Sequence, residues 1–241
     1  MKQSKWTIVS NLPVAERTYK MQLQGDTTGI RPGQFVEIAL PGYYLRRPIS
    51  VCDIDNDLLT LIYKVVGDGT AAMAQMPKGM ELDVLSCLGN GYDLTLAGDE
   101  VLLVGGGVGV PPLMYAAKCL RQAGKQVRVV MGFNSAREVF AEDELKDMGC
   151  QVEVCTMDGS YGTKSLVTDL LDTPAPFYYA CGPLPMLKAL VHKIGTKGEL
   201  SMEERMGCGV GICMGCSIET TRGIKRVCKE GPVFSADEVM F

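Results

Sequence analysis

The sequence has little histidine, no excess of positive charge and no long apolar run, and each shortage excludes a class of function. A single histidine, His192, occurs among 241 residues, so a metal site that needs two imidazole ligands is excluded. The formal net charge of -4 leaves no basic footprint for nucleic acid. No apolar stretch approaches the roughly 20 residues that span a bilayer, so we expect a soluble protein without membrane association.

Cysteine, in contrast, is abundant, and four of the ten cysteines lie close together near the C-terminus. Cys208, Cys213 and Cys216 have the spacing C-x4-C-x2-C, and Cys228 follows after eleven intervening residues. This is the plant-type ligand spacing for a 2Fe-2S cluster. The glycines between the cysteines let the backbone curl around a cluster and direct amide N–H groups at its sulfurs. The pattern therefore predicts single-electron transfer.

Other uses of these cysteines fit the sequence less well. A structural zinc site usually takes its thiolates from two C-x2-4-C knuckles, whereas Cys228 stands alone; zinc stays open as the alternative. A Rieske centre needs two histidines and is excluded. Disulfides need an oxidising compartment, and no apolar signal segment precedes Trp6, so we expect a cytoplasmic protein. The other six cysteines are interpreted as small buried hydrophobes: Cys52, Cys87, Cys119, Cys150, Cys155 and Cys181.

Residues 1–98 are predicted to form an antiparallel β-barrel domain. Short alternating stretches at 7–9, 19–23, 35–39 and 59–65 are separated by Gly, Pro, Asp and Asn. One helix is predicted, at 70–76. Its N-terminus could present free amides and the Thr70 hydroxyl to a phosphate, or Thr70 could be an ordinary N-cap.

The hydrophobic period changes at residue 99, and residues 99–200 are predicted to form an α/β domain. The apolar run 101–104 is typical of a buried parallel strand, and a glycine-rich turn and a helix at 111–123 follow it. Further strands at 127–131, 152–156 and 177–180 alternate with helices at 142–148, 166–171 and 184–194. This alternation predicts a doubly wound nucleotide-binding domain. A small C-terminal domain, 201–241, contains the four clustered cysteines.

Several motifs occur in the order found in the ferredoxin-NADP reductase superfamily, which the chain resembles. Arg47-Pro48-Ile49-Ser50 is similar to the family's R-x-x-S flavin motif, although Ile49 stands where an aromatic residue is usual. The resemblance implies that FAD and a nicotinamide nucleotide bind to three further groups of residues: Ile62, Tyr63 and Lys64 with Gly69 and Thr70; Gly106, Gly107, Val108 and Gly109; and Cys181, Gly182 and Pro183.

The cysteine-containing tail and the segment Asp158-Gly159-Ser160-Tyr161-Gly162 resemble the electron-transfer subunits of NAD-dependent dihydroorotate dehydrogenases. This resemblance implies Asp158 as a further cofactor-binding residue and no catalytic acid or base, with His192 on the surface. It also implies a partner, an FMN-containing catalytic subunit, in a heterotetramer with two copies of each chain. Electrons would pass from that subunit through 2Fe-2S and FAD to NAD in pyrimidine biosynthesis.

Two alternatives remain open. One is a related small FAD and 2Fe-2S subunit, from an NADH-dependent ferredoxin-NADP oxidoreductase or a sulfide dehydrogenase. The other is a non-enzymatic module that binds zinc and nucleotide. We expect NAD rather than NADP, because the segment 132–137 offers only Arg137 to a 2′-phosphate. We also expect Val210, Ile212 and Met214 to face the partner subunit, the alternative being that they pack internally.

Overall fold

The computed structural model describes all 241 residues, and six strands of its N-terminal part form a closed antiparallel barrel. The strands are β1 (Lys2–Ala15), β2 (Thr18–Gln24), β3 (Phe35–Ile38), β4 (Arg47–Asp55), β5 (Leu58–Lys64) and β6 (Glu81–Leu88), with helix α1 (Asp68–Ala74) between β5 and β6. Their order around the barrel is β1-β2-β5-β4-β3-β6. The predicted antiparallel barrel is confirmed.

Alternating side chains fill the barrel and cover its outer wall. On β3, Val36 and Ile38 pack into the barrel core, whereas Phe35 belongs to a second core outside the barrel. Strand β6 alternates buried residues with more accessible ones along its length, the period-2 pattern of a half-buried strand. The sequence analysis missed β6, although this alternation is visible in the sequence.

The second sheet contains five long parallel strands in a doubly wound order, as predicted. They are β7 (Glu100–Gly106), β8 (Gln126–Phe133), β9 (Gln151–Thr156), β11 (Phe177–Cys181) and β12 (Gly198–Ser201). The two-residue strand β10 (Thr163–Lys164) extends the β9 edge, and the sheet runs β10-β9-β8-β7-β11-β12. The chain order reverses between β7 and β11, the place where open α/β sheets bind ligands.

Helices α2 (Pro111–Gln122), α3 (Glu142–Asp147) and α4 (Leu184–Ile194) connect these strands. The central strand β7 is buried on both faces, with Val101 and Leu103 in one core and Leu102 and Val104 in the other. This two-sided burial explains the continuous apolar run.

Two helix predictions need correction. The helix predicted at 166–171 is wrong: only a 3-10 turn, Val167–Leu170, forms there, and the chain is extended again at Leu171. The helix predicted at 70–76 begins earlier, at Asp68, with Gly67 as its N-cap. Thr70 is not the N-cap; its hydroxyl accepts the Val66 N–H at 2.9 Å and ties the turn to the helix.

The C-terminal segment packs closely on the other two parts. A hairpin of β13 (Ser217–Thr220) and β14 (Gly223–Arg226) is followed by β15 (Val233–Ser235), which pairs antiparallel with β12. Cys216, Val227 and Phe234 share a core with residues of the nucleotide-binding sheet. The predicted boundary at residue 200 falls inside β12, and the division into three domains stays a prediction.

Candidate functional site

A cavity of about 370 Å³ lies between the barrel and the C-terminal segment. Eight of the predicted flavin-binding residues line it: Arg47, Pro48, Ile49, Ser50, Ile62, Tyr63, Lys64 and Thr70. The first four begin β4, and the others come from the end of β5 and from α1. The structure therefore brings the separated motifs of the barrel to one wall.

Arg47 is the cation of this wall that has no salt bridge, since Lys64 is paired with Glu138. Its guanidinium donates to the Leu45 carbonyl at 2.5 Å and lies 4.9 Å from the centre of the Tyr43 ring. The predicted Gly69 packs directly against it, because a Cβ there would lie 2.1 Å from Arg47 Nε. No carboxylate forms a salt bridge with Arg47, so its charge is free for an anion. A guanidinium fork fits the paired oxygens of a pyrophosphate.

Tyr63 contributes to the wall without offering its hydroxyl to the cavity. The side chain is in the barrel core, where the hydroxyl donates to Asn11 Oδ1 at 3.0 Å. Burial raises the pKa of Tyr63 to about 12, so the phenol stays neutral. We infer a structural role for this ring.

A larger cavity of about 610 Å³ lies at the carboxyl ends of β7, β8 and β11. The predicted nucleotide loops line it through Gly106, Gly107, Val108, Gly109, Gly182 and Pro183. These loops approach each other closely, since a Cβ on Gly109 would lie 2.2 Å from the Cys181 carbonyl oxygen. Backbone amides in such a turn are suited to a pyrophosphate.

Besides Gly69, which packs on Arg47, two predicted cofactor residues, Cys181 and Asp158, are outside both cavity walls. Cys181 is 1% exposed, and burial raises the pKa of its thiol above the usual range, so it stays protonated. Asp158 lies on an exposed turn after β9, where its carboxylate accepts the Ser160 hydroxyl at 2.6 Å. This hydrogen bond lowers the pKa of Asp158. A cofactor role for either residue stays a prediction.

The two cavities meet at Lys64, Val108 and Glu203, which line both. Lys64 Nζ also forms a 2.7 Å salt bridge with Glu138 Oε1 and so links the barrel to the nucleotide-binding sheet. Glu203 is the acidic residue shared by the two cavities at this junction. The sequence analysis missed several wall residues, since no motif marks them: Phe35, Glu138, Met157, Ser201, Met202, Glu203, Met206 and Pro232.

The four clustered cysteines lie on the C-terminal segment, and backbone amides point at their sulfurs. Ile212 N and Cys213 N donate to Cys208 Sγ at 3.3 and 3.4 Å. Although burial acts to raise the pKa of Cys208, amide hydrogen bonds from the loop lower it to about 6 and favour the thiolate. Gly215 N donates to Cys213 Sγ at 3.5 Å, and Cys228 N to Cys216 Sγ at 3.4 Å.

The thiols form two pairs, Cys208 with Cys213 and Cys216 with Cys228. Burial and the Cys216 thiol raise the pKa of Cys228 to about 12, so iron would have to displace a proton from this pair. A 2Fe-2S cluster takes two thiolates at each iron. The arrangement fits the cluster.

The cluster loop exposes part of its apolar surface. Ile212 is 80% exposed and Met214 52% exposed, whereas Val210 is half-buried against the core of the C-terminal segment. Of these three apolar residues, Val210 alone packs internally. His192 is exposed on α4, as expected. None of the helices is long and apolar enough to cross a membrane.

Comparison with known proteins identifies the family. The protein-family model for the iron-sulfur cluster binding domain of dihydroorotate dehydrogenase B matches residues 203–240. The dihydroorotate dehydrogenase B (NAD(+)) electron transfer subunit of Fusobacterium nucleatum subsp. nucleatum is 45% identical, with 99% of each chain covered. That of Shouchella clausii is 41% identical over 99% of this chain and 98% of the relative. The chain belongs to this family of electron transfer subunits.

Solved structures agree with the assignment. The structure of an NADH-dependent reduced ferredoxin-NADP oxidoreductase matches with a TM-score of 0.87 and 31% identity, over 98% of this chain and 89% of the other. Phthalate dioxygenase reductase shares the fold, with a TM-score of 0.68 and 20% identity over 85% of this chain and 70% of the other. The family and fold confirm an oxidoreductase subunit with the predicted cofactors FAD, 2Fe-2S and NAD. As an electron transfer subunit, it works with a catalytic partner subunit.

Proposed function

We propose that the chain carries electrons from the FMN-containing catalytic subunit of an NAD-dependent dihydroorotate dehydrogenase to NAD, in pyrimidine biosynthesis. The observation that carries this proposal is the junction of the two cavities at Lys64, Val108 and Glu203. A flavin in the smaller cavity and a nicotinamide in the larger one would meet there. Flavin can take up electrons singly and release them in pairs as hydride, which links a one-electron cluster to NAD.

In this proposal the barrel holds FAD. Arg47 would pair with the pyrophosphate, supported by Gly69 and Thr70, and Ser50 would face the flavin ring. Ile62 and Lys64 complete the wall. The unpaired charge of Arg47 at the cavity supports this assignment.

The larger cavity would hold NAD. Amides of the turn from Gly106 to Gly109 would bind its pyrophosphate, with Gly182 and Pro183 forming the opposite wall. Lys64 is the one cation among the residues that line this cavity, and it is already paired with Glu138. The cavity thus offers little positive charge for an additional 2′-phosphate, which supports NAD over NADP.

The cluster loop is proposed as the docking surface for the catalytic subunit, in an assembly of two copies of each chain. Electrons from a partner must enter close to the iron, and Cys213 itself is exposed. The exposed Ile212 and Met214 flank it and would be buried in the centre of such an interface. Cys216 and Cys228 are buried, so a partner would approach the cluster from the side of Cys213.

The experiment is reconstitution. The isolated chain should oxidise NADH with artificial acceptors and show no dihydroorotate oxidation. Adding the FMN subunit should produce dihydroorotate-dependent NAD reduction. Met214→Asp should reduce this coupled activity more than the artificial-acceptor reaction. Leu96→Asp is the control for an added charge, because Leu96 is similarly exposed and lines neither cavity. Dihydroorotate oxidation by the chain alone would contradict the proposal.

A second candidate is the small subunit of an NADH-dependent ferredoxin-NADP oxidoreductase, favoured by the 31% identity over nearly the whole chain. Its cofactors and local chemistry would be the same, and its partner would differ. Failure to couple with an FMN subunit, together with coupling to a large bifurcating subunit, would favour this candidate.

A further inference from the structure

Glu37 is a buried acid on the outer wall of the barrel, and it lines neither cavity. The residue is 2% exposed. Side chains alternate along a strand, so Glu37 shares a face with Phe35, which lines the smaller cavity. Its neighbour across the β3–β4 ladder is Pro48 of the flavin motif. Glu37 therefore stands beside the flavin wall and points away from the barrel core.

The carboxylate of Glu37 touches the cluster loop. Gly209 follows Cys208 with a φ of +65°, in the left-handed region. A Cβ at Gly209 would lie 2.2 Å from Glu37 Oε1. The loop backbone thus packs directly against the acid, and a larger residue at position 209 would displace the carboxylate. Glu37 lies between the proposed flavin site and the proposed cluster.

Protein groups nearby do not neutralise this carboxylate with a salt bridge or a hydrogen bond. The Arg46 guanidinium forms its salt bridge with Asp83 at 2.6 Å and reaches only the backbone carbonyl of Glu37, at 3.5 Å. Arg47 is turned toward Leu45 and Gly69. Burial raises the pKa of Glu37 to about 7, and the nearby Cys208 acts in the same direction, against the weaker opposing effect of Arg46 and Arg47. A buried acid without a partner is costly and unusual.

We propose that Glu37, which packs against the cluster loop, lowers the reduction potential of the 2Fe-2S cluster through its negative charge. Reduction adds one electron to the cluster, and a fixed negative charge in a poorly solvated contact opposes that addition. A cluster with a lower potential is a stronger reductant toward the flavin on the other side of the same wall. This inference rests on the proposed cluster and adds a residue that controls its potential.

The test is Glu37→Gln, which keeps the shape of the side chain and removes its charge. The potential would be measured at pH 8.5 by dithionite titration with mediators, following the electron paramagnetic resonance signal of the reduced cluster. We expect the reduction equilibrium to shift about tenfold toward the reduced cluster, a rise of about 59 mV for one electron. Iron and sulfide contents should match those of the wild type.

Two variants serve as controls. Glu37→Asp keeps the charge and should keep a potential closer to that of the wild type than Gln does. Glu199→Gln removes a half-buried acid, which accepts the Asp93 N–H at 2.9 Å and lines neither cavity. It should leave the potential unchanged.

An unchanged potential in an iron-replete Glu37→Gln protein would overturn the inference. Loss of the cluster from that isosteric variant would also overturn it, because the carboxylate would then be needed for assembly. Failure of the proposed function has a different signature. A wild-type protein without iron, sulfide or a reducible signal would refute the cluster itself.

Discussion

Arg47 offers a direct test of the flavin site. Arg47→Ala removes the unpaired cation from the smaller cavity and leaves the barrel core intact, because the side chain lies on the outer wall beside Gly69. A hydrogen bond that involves a charged group contributes about 1.5 to 3 kcal/mol. Since 1.4 kcal/mol corresponds to a factor of ten in an equilibrium constant, FAD should bind roughly ten- to a hundredfold more weakly.

The assay is flavin retention during purification, followed by titration of flavin-free protein with FAD under flavin fluorescence. Arg47→Lys should bind with intermediate affinity, because an ammonium keeps the charge and loses the two-pronged geometry. Arg31→Ala is the matched control: Arg31 is a barrel arginine that donates to the Asn90 carbonyl and lines neither cavity. Equal FAD affinity in the Arg47→Ala and Arg31→Ala proteins, or FMN as the only extracted flavin, would refute the reasoning.

Three further predictions concern the cluster, the nucleotide and the buried acid. Replacing any one of the four clustered cysteines, Cys208, Cys213, Cys216 or Cys228, with Ser should abolish or severely destabilise the cluster. The control variant Cys119→Ser should keep its full iron and sulfide content. Full iron content in Cys228→Ser would contradict the ligand assignment. The catalytic efficiency with NADH should exceed that with NADPH, and comparable steady-state values would overturn the preference. Because the pKa of Glu37 is raised to about 7 in the folded state, its ionisation destabilises the protein as pH rises from about 4.5 through 7. Glu37→Gln should therefore be more stable than the wild type by about 1 to 3 kcal/mol at pH 8, with little difference at pH 4.5, in unfolding titrations at matched iron content.

Local sequence patterns predicted the features that depend on neighbours in the chain. The spacing of the cysteines defines a loop whose amides are directed at its own sulfurs, as Cys213 N toward Cys208 Sγ shows. The apolar run 101–104 predicted the central strand, because burial on both faces leaves a continuous signature. The segment at Val167–Leu170 was predicted as a helix because its apolar residues recur at helical spacing. A short 3-10 turn can also direct residues at this spacing toward the core.

Contacts between distant segments could not be predicted in this way. Glu203 and Lys64 meet at the cavity junction although nearly 140 residues separate them, and no motif marks Glu203. Glu37 would be expected to face solvent, since charged residues are seldom buried. Its burial follows from the packing of the cluster loop on the barrel, which no periodicity in either segment encodes.

The C-terminal segment explains how these distant groups come together. Strand β15 completes the nucleotide-binding sheet through β12, while Val233 exchanges hydrogen bonds with the barrel residue Asn90, at 2.6 and 3.1 Å. One short strand therefore holds the barrel and the sheet in a fixed relation. The same segment contains the cysteines and contributes Met206 and Pro232 to the flavin cavity. Because a single stretch of chain connects all three parts, the distances that govern electron transfer between them depend on its packing.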